Sequence, residues 1–187
     1  MFEGVDTVVL HNELAFHAEL PLQWVPATRK FDLARLDALD HANVELLQSW
    51  IALEEQPSRD KAEELGPLAH EMARLDHKIN LVLQLLGTLV GDSAPATLRA
   101  VRFNALGASW VETGARPPVN EQGTLRIRLP GLVPRCLEFP AQVSGVDADT
   151  VSVKYLQLTE LSAELIQRLC FMKHRKDVAG ARKSRAG

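Results

Sequence analysis

Aromatic residues are scarce: 5% of the 187, with a single tyrosine. Trp24, Trp50 and Trp110 do not cluster in the sequence, so no stacking platform for bases is read from them. Cysteine is scarcer still. Cys136 and Cys170 fit no metal or redox spacing and read as buried, reduced thiols. Long apolar runs are missing: the longest, Leu81 to Val90, is broken by Gln84, Gly87 and Thr88. That falls far short of the roughly 20 residues of a membrane-spanning helix. The first ten residues carry Glu3 and Asp6 and no basic cluster, so no signal peptide is read and a cytoplasmic location is expected.

Catalytic patterns are missing too. No serine sits in a Gly-x-Ser-x-Gly elbow, and no glycine-rich loop with lysine follows a strand. His70 and His77 lie seven residues apart, about 10 Å along a helix, too far to share a metal. Asp147 and Asp149 suit a turn without any ligand. The reading is of a protein that is not an enzyme and carries no cofactor and no metal. Net charge is −3, unevenly spread. Residues 173–187 hold six basic residues against Asp177 alone, a net +5 that leaves −8 for the rest. The tail, 177–187, reads as basic and disordered. The acidic body argues against a nucleic-acid binder.

What is present is rhythm. Leu68, Met72, Leu75, Ile79, Val82, Leu86 and Leu89 recur in steps of four and three. Such a series forms one stripe on a helix, read either as the seam of a coiled coil between copies or as the face of an αα-hairpin packed on its own barrel. Gly66-Pro67 opens that helix and Gly91 closes it. An earlier helix, capped by Asp32 and ended before Pro57, repeats the rhythm in Leu36, Leu39, Asn43, Leu46, Trp50 and Leu53. Asn43 on the seam would fix register; in the other reading Asn43 faces solvent and Val44, Leu47 and Ile51 form the core stripe.

From Thr97 the period changes to two. Leu98/Ala100, Trp110, Leu125/Ile127/Leu129, Leu137/Phe139/Ala141/Val143 and Val151/Val153/Tyr155 alternate with polar residues between turn signals. Short alternating strands of this spacing predict an antiparallel barrel or sandwich. Leu161, Leu165, Ile166, Leu169 and Cys170 then mark a helix from Thr159 to about Lys176. The expected organisation is an extended arm over 1–30, kept to an edge by Pro21 and Pro26, then a heptad helical region over 31–91. A barrel with terminal helix follows over 96–176, and the tail comes last.

Residues 97–176 resemble a PilZ domain. Phe103 to Gly114 (FNALGASWVETG) is similar to that family's strand-and-turn segment, and Gly123 to Pro130 (GTLRIRLP) to its "GTxLxLxLxLP". Val151 to Leu158 resembles its closing strand. The resemblance implies a six-stranded antiparallel β-barrel with a C-terminal helix, in an α+β fold, linked to the messenger cyclic di-GMP. The family's ligand motifs are degenerate here. Arg99 and Arg102 stand as Arg-x-x-Arg, one residue short of the usual spacing, and remain candidates for phosphate contact. Asn104, Leu106 and Ser109 occupy the second motif in one register; Phe103, Ala105 and Ala108 occupy it in the other. Weak or absent cyclic di-GMP binding by the usual mode is expected. A genuine receptor using Arg99, Arg102, Arg116 or Arg135 is the alternative.

Heptad helices beside such a barrel resemble an atypical, tetrameric PilZ subgroup from xanthomonads. That implies a homotetramer built on a coiled coil, a regulatory adaptor role in motility, pili or virulence, and a protein partner that the sequence does not name.

Overall fold

The structure is a computed structural model that describes residues 9–54, 97–129 and 135–186, together with helical positions 71, 74, 75, 78, 79 and 82. In chain order the elements are β1 (Val9–Leu10), β2 (Glu13–Leu14), β3 (Phe16–Pro26), α1 (Leu33–Glu54), β4 (Thr97–Asn104), β5 (Gly107–Val111), β6 (Gln122–Ile127), β7 (Leu137–Asp147), β8 (Thr150–Tyr155) and α2 (Glu160–Ala186).

Six antiparallel strands close into a barrel in the order β3-β4-β5-β8-β7-β6. The residues expected to alternate inward in β6, β7 and β8 do so: Leu125, Ile127, Leu137, Phe139, Ala141, Val143, Val151 and Val153 are buried. Two expectations fail. Residues 16–26 are not an arm on an edge: β3 is the sixth stave, between β4 and β6. Its prolines are accommodated because each sits at the end of a ladder. Pro21 faces β6 one residue beyond the last register pair, and its carbonyl accepts from the Arg128 N–H. Pro140 in β7 does the same, accepting from Leu156 just past the end of β8. A missing N–H costs little where no partner strand continues. The second failure is in β4, where Val101 and Phe103 point inward and Leu98 is 60% exposed.

The helices plug one end of the barrel. Asp32 caps α1 by accepting from the Arg35 N–H, and Thr159 caps α2 by accepting from the Ser162 N–H. The buried Asp40 carboxylate, about two turns into α1, accepts from the Thr159 hydroxyl at 2.7 Å, tying α1 to the start of α2. Leu47, Trp50, Ile51, Ile166, Leu169 and Cys170 join the barrel interior in one core. Trp50 meets Phe16 edge to face, centroids 6.3 Å apart, and Phe16 packs on Phe103.

Asn43 is neither a seam pin nor a solvent residue. It is 3% exposed; its Nδ2 donates to the Glu138 carbonyl and its Oδ1 accepts from the Glu138 N–H, each at 2.9 Å. Glu138 faces the side where β8 has already ended, since the β7–β8 ladder starts at Ala141↔Tyr155. One asparagine therefore replaces the missing strand. Of the remaining seam positions of α1, Leu46 and Trp50 are buried and Leu36 and Leu39 half-buried, while Leu53 is exposed.

α2 does not stop near Lys176, and the tail is not irregular: the helix continues to Ala186. Its extension is rich in Lys, Arg and Ala, good helix formers, and Lys173 pairs with Asp177 one turn on. Among the described residues no helix is long and apolar enough to cross a membrane.

Candidate functional site

Successive strand residues point to opposite faces. This separates the two arginines with the spacing closest to a ligand motif. Arg99 shares the inward face of β4 with Val101 and Phe103; Arg102 is on the outer face and exposed. They do not converge on one ligand from a single strand.

Arg99 is committed to the open end of the barrel. Its Nη2 donates to Glu112 Oε1 at 2.8 Å and its Nη1 to the Leu22 carbonyl at 3.1 Å. Glu112, 4% exposed, also accepts from the Gly114 N–H at 3.0 Å and from Trp110 Nε1 at 3.2 Å. Burial pushes the Glu112 carboxyl up, but the Gly114 and Trp110 N–H groups and the Arg99 charge together outweigh it. They hold it below its ordinary value of 4.5. Trp110 stacks on Trp24 at 6.1 Å, and Trp24 Nε1 donates to Glu121 at 2.7 Å. Gly123 admits that indole: a Cβ there would lie 2.5 Å from it.

A cleft of about 350 Å³ at this mouth is lined by Trp24, Arg99, Glu112, Arg116 and Glu121, among others. Two carboxylates beside two guanidinium groups leave little net attraction for a phosphate.

Arg102 lies on the outer wall, in register with His17 of β3 and Ser109 of β5. A concavity of about 330 Å³ there is lined by His17, Glu19, Arg102, Ser109 and Thr150, among others. Of the three motif positions, only Ser109 belongs to this surface. Asn104 is buried; its Nδ2 donates to the Leu10 carbonyl at 2.7 Å and its Oδ1 accepts from the Leu106 N–H at 2.9 Å. It fastens the β1–β2 hairpin and shapes the β4–β5 turn. Leu106 is exposed at that turn. Arg135 is elsewhere again, 3.6 Å from Glu45 of α1.

The remaining polar residues carry no catalytic arrangement among those described. Burial raises the Cys170 thiol to about 11, and its S–H faces the Phe103 carbonyl. Burial likewise raises Cys136, beside Glu138. No cluster of three or more His, Cys, Asp or Glu able to hold a metal occurs among the described residues.

The second heptad stripe behaves unlike the first. Leu75, Ile79 and Val82 occupy helical positions and are 55%, 55% and 53% exposed. Leu68, Met72, Leu86 and Leu89, with His70 and His77, lie outside the described residues.

Residues 47–183 match the family model of the atypical PilZ domain, cyclic di-GMP receptor. A solved structure also aligns with the chain. It is a pathogenic protein from Xanthomonas campestris, described as a new tetrameric PilZ domain self-assembled via an unusual helical bundle. The TM-score is 0.67 at 23% identity, over 91% of this chain and 93% of that one. At that identity the likeness speaks for the fold. No curated protein matches the chain. The family match begins within α1 and runs through all of β4 to β8 and most of α2; the chain belongs to the atypical PilZ domain family of cyclic di-GMP receptors.

Proposed function

We propose that this protein is a non-enzymatic, cytoplasmic regulatory adaptor in cyclic di-GMP-linked signalling, such as motility, pilus function or virulence. Its copies assemble through the stripe Leu68, Met72, Leu75, Ile79, Val82, Leu86 and Leu89, and its barrel holds cyclic di-GMP weakly or not at all in the usual two-arginine mode. The observation that carries the assembly is the exposure of Leu75, Ile79 and Val82, three large apolar residues in four-three spacing. Each leaves more than half its surface in water, and burial against a second copy recovers roughly 25 cal/mol for every Å² removed. The tetrameric helical bundle of the Xanthomonas campestris protein supports four copies.

Weak binding is supported by the opposed faces of Arg99 and Arg102, the Glu112 lock on Arg99 and the structural duty of Asn104. Each lost charge-assisted bond removes about 1.5–3 kcal/mol.

Sedimentation at micromolar concentration, with a calorimetric titration of cyclic di-GMP into the same sample, tests both halves. A tetramer mass with no submicromolar binding is the expected result. A monomer mass removes the assembly, and submicromolar binding removes the adaptor reading of the barrel. A second reading, a true receptor, has one observation in its favour: the outer concavity that brings His17, Arg102 and Ser109 together. In that case Arg102→Ala abolishes the binding while Arg99→Ala destabilises the fold.

A further inference from the structure

The outward side of α2 has a surface that the barrel and the ligand motifs do not use. Phe171 is 55% exposed on this helix. Arg168 and Arg175 are exposed on either side of it, and Val178 is partly exposed. At 3.6 residues per turn these four side chains fall within about 80° of one another, a single stripe. Arg182 follows Arg175 at the same seven-residue interval that separates Arg175 from Arg168. Two lysines of the helix are held by carboxylates. Lys173 is paired with Asp177 on its own helix, and Lys176 reaches Glu54 on α1. Those contacts anchor α2 and leave the Phe171–Arg175 side facing outward.

Residues 168–185 contain seven basic residues against one acid, Asp177, in a chain whose net charge is −3. A concentration of positive charge on one helix of an acidic protein selects an anionic occupant.

We propose that this stripe binds the surface of an anionic phospholipid bilayer, with the arginines on the headgroup phosphates and Phe171 inserted at headgroup depth. The placement of Phe171 argues for a bilayer over a nucleic acid. Phosphate contact alone gains nothing from an apolar ring between the arginines, whereas an interfacial helix uses its ring and its cations on the same side. A bilayer is also flat and presents continuous charge, which suits cations repeated along one side of a helix. The protein then works as a peripheral membrane protein.

Co-sedimentation of the full chain with phosphatidylcholine vesicles, with and without phosphatidylglycerol, tests this. The chain is expected in the pellet only when phosphatidylglycerol is present. Arg175→Ala lowers that partitioning about fivefold, the loss expected for one cation near an anionic surface. Phe171→Ser lowers it as well, and high salt removes most of what remains. Both side chains are exposed, so helical circular dichroism of the variants stays at the parent level. No association with anionic vesicles, equal association with neutral ones, indifference to both substitutions, or displacement from the vesicles by an oligonucleotide would each overturn the proposal.

Discussion

Two stretches of this chain share one rhythm and meet opposite environments. Along α1, Asn43, Leu46 and Trp50 are buried against the barrel and α2. At 75, 79 and 82 the same four-three spacing leaves Leu75, Ile79 and Val82 more than half exposed. Periodicity states only that a helix needs a partner on one side. The partner of α1 is marked by its polar residues. Asn43 matches the unpaired edge of β7 at Glu138, and Asp40 matches the Thr159 cap. Among the described positions of the second stripe no polar residue falls on the seam: its neighbours Glu71 and Arg74 pair with each other across one turn. A polar residue with a unique mate fixes a helix to one place in its own chain, while a wholly apolar seam suits a second copy of itself.

Substitutions at four positions would break or sharpen that contrast. Trp50→Ala removes a buried indole where α1 enters the core, and is expected to cost about 3–5 kcal/mol at every protein concentration. Urea unfolding at two concentrations checks it; a cost that vanishes on dilution would mean that α1, too, serves the contact between copies.

Next is the open end of the barrel. Glu112→Ala leaves the Arg99 guanidinium buried without its carboxylate and is expected to cost about 3 kcal/mol. Because the native Glu112 pKa is depressed, its contribution is complete above the ordinary value of 4.5 and is lost as pH falls through the native value. Stability measured against pH should therefore drop on the acid side in the parent, and drop less in Glu112→Gln. An unchanged acid limb would assign the loss to other carboxylates.

Asn43→Ala leaves the Glu138 backbone N–H and carbonyl without their shared partner and is expected to cost about 2–3 kcal/mol, again independent of concentration. Hydrogen exchange at the Glu138 amide should rise with it; unaltered protection there would deny the strand-mimicking role. The smallest effect on the barrel belongs to Ile79→Asp. Dilute-state stability should stay within about 0.5 kcal/mol, as at other exposed positions, while the mass in solution falls to that of a single chain. Loss of barrel stability with an unchanged mass would reverse the contrast between the two stripes.

Much of the barrel is legible in the sequence because β6, β7 and β8 alternate cleanly and the residues between them are turn formers. Where legibility fails, a specific residue deceives. Pro21 and Pro26 argue for an edge, yet β3 is interior, since Pro21 stands where one ladder has run out. Arg99 makes odd-numbered β4 residues look solvent-facing, but Glu112, thirteen residues away, neutralises it inside the barrel mouth. Periodicity cannot register a partner at that distance. Asn43 is ambiguous for the same reason: its mate is ninety-five residues on, and only the premature end of β8 explains it. The candidate ligand residues were found by local motif, but strand alternation splits Arg99 from Arg102 and the hairpin claims Asn104.

The pairing of β3 with β4 has a further consequence. Leu22 sits opposite Thr97, so everything from 27 to 96 leaves and rejoins the barrel between two adjacent staves. Topologically it is an extended hairpin loop. A protein so arranged is modular: the span beyond Glu54 lies within one connection between neighbouring staves, so exchanging it leaves the threading of the barrel unchanged. The cut must fall after α1, because Asn43 has made the base of the loop part of the wall.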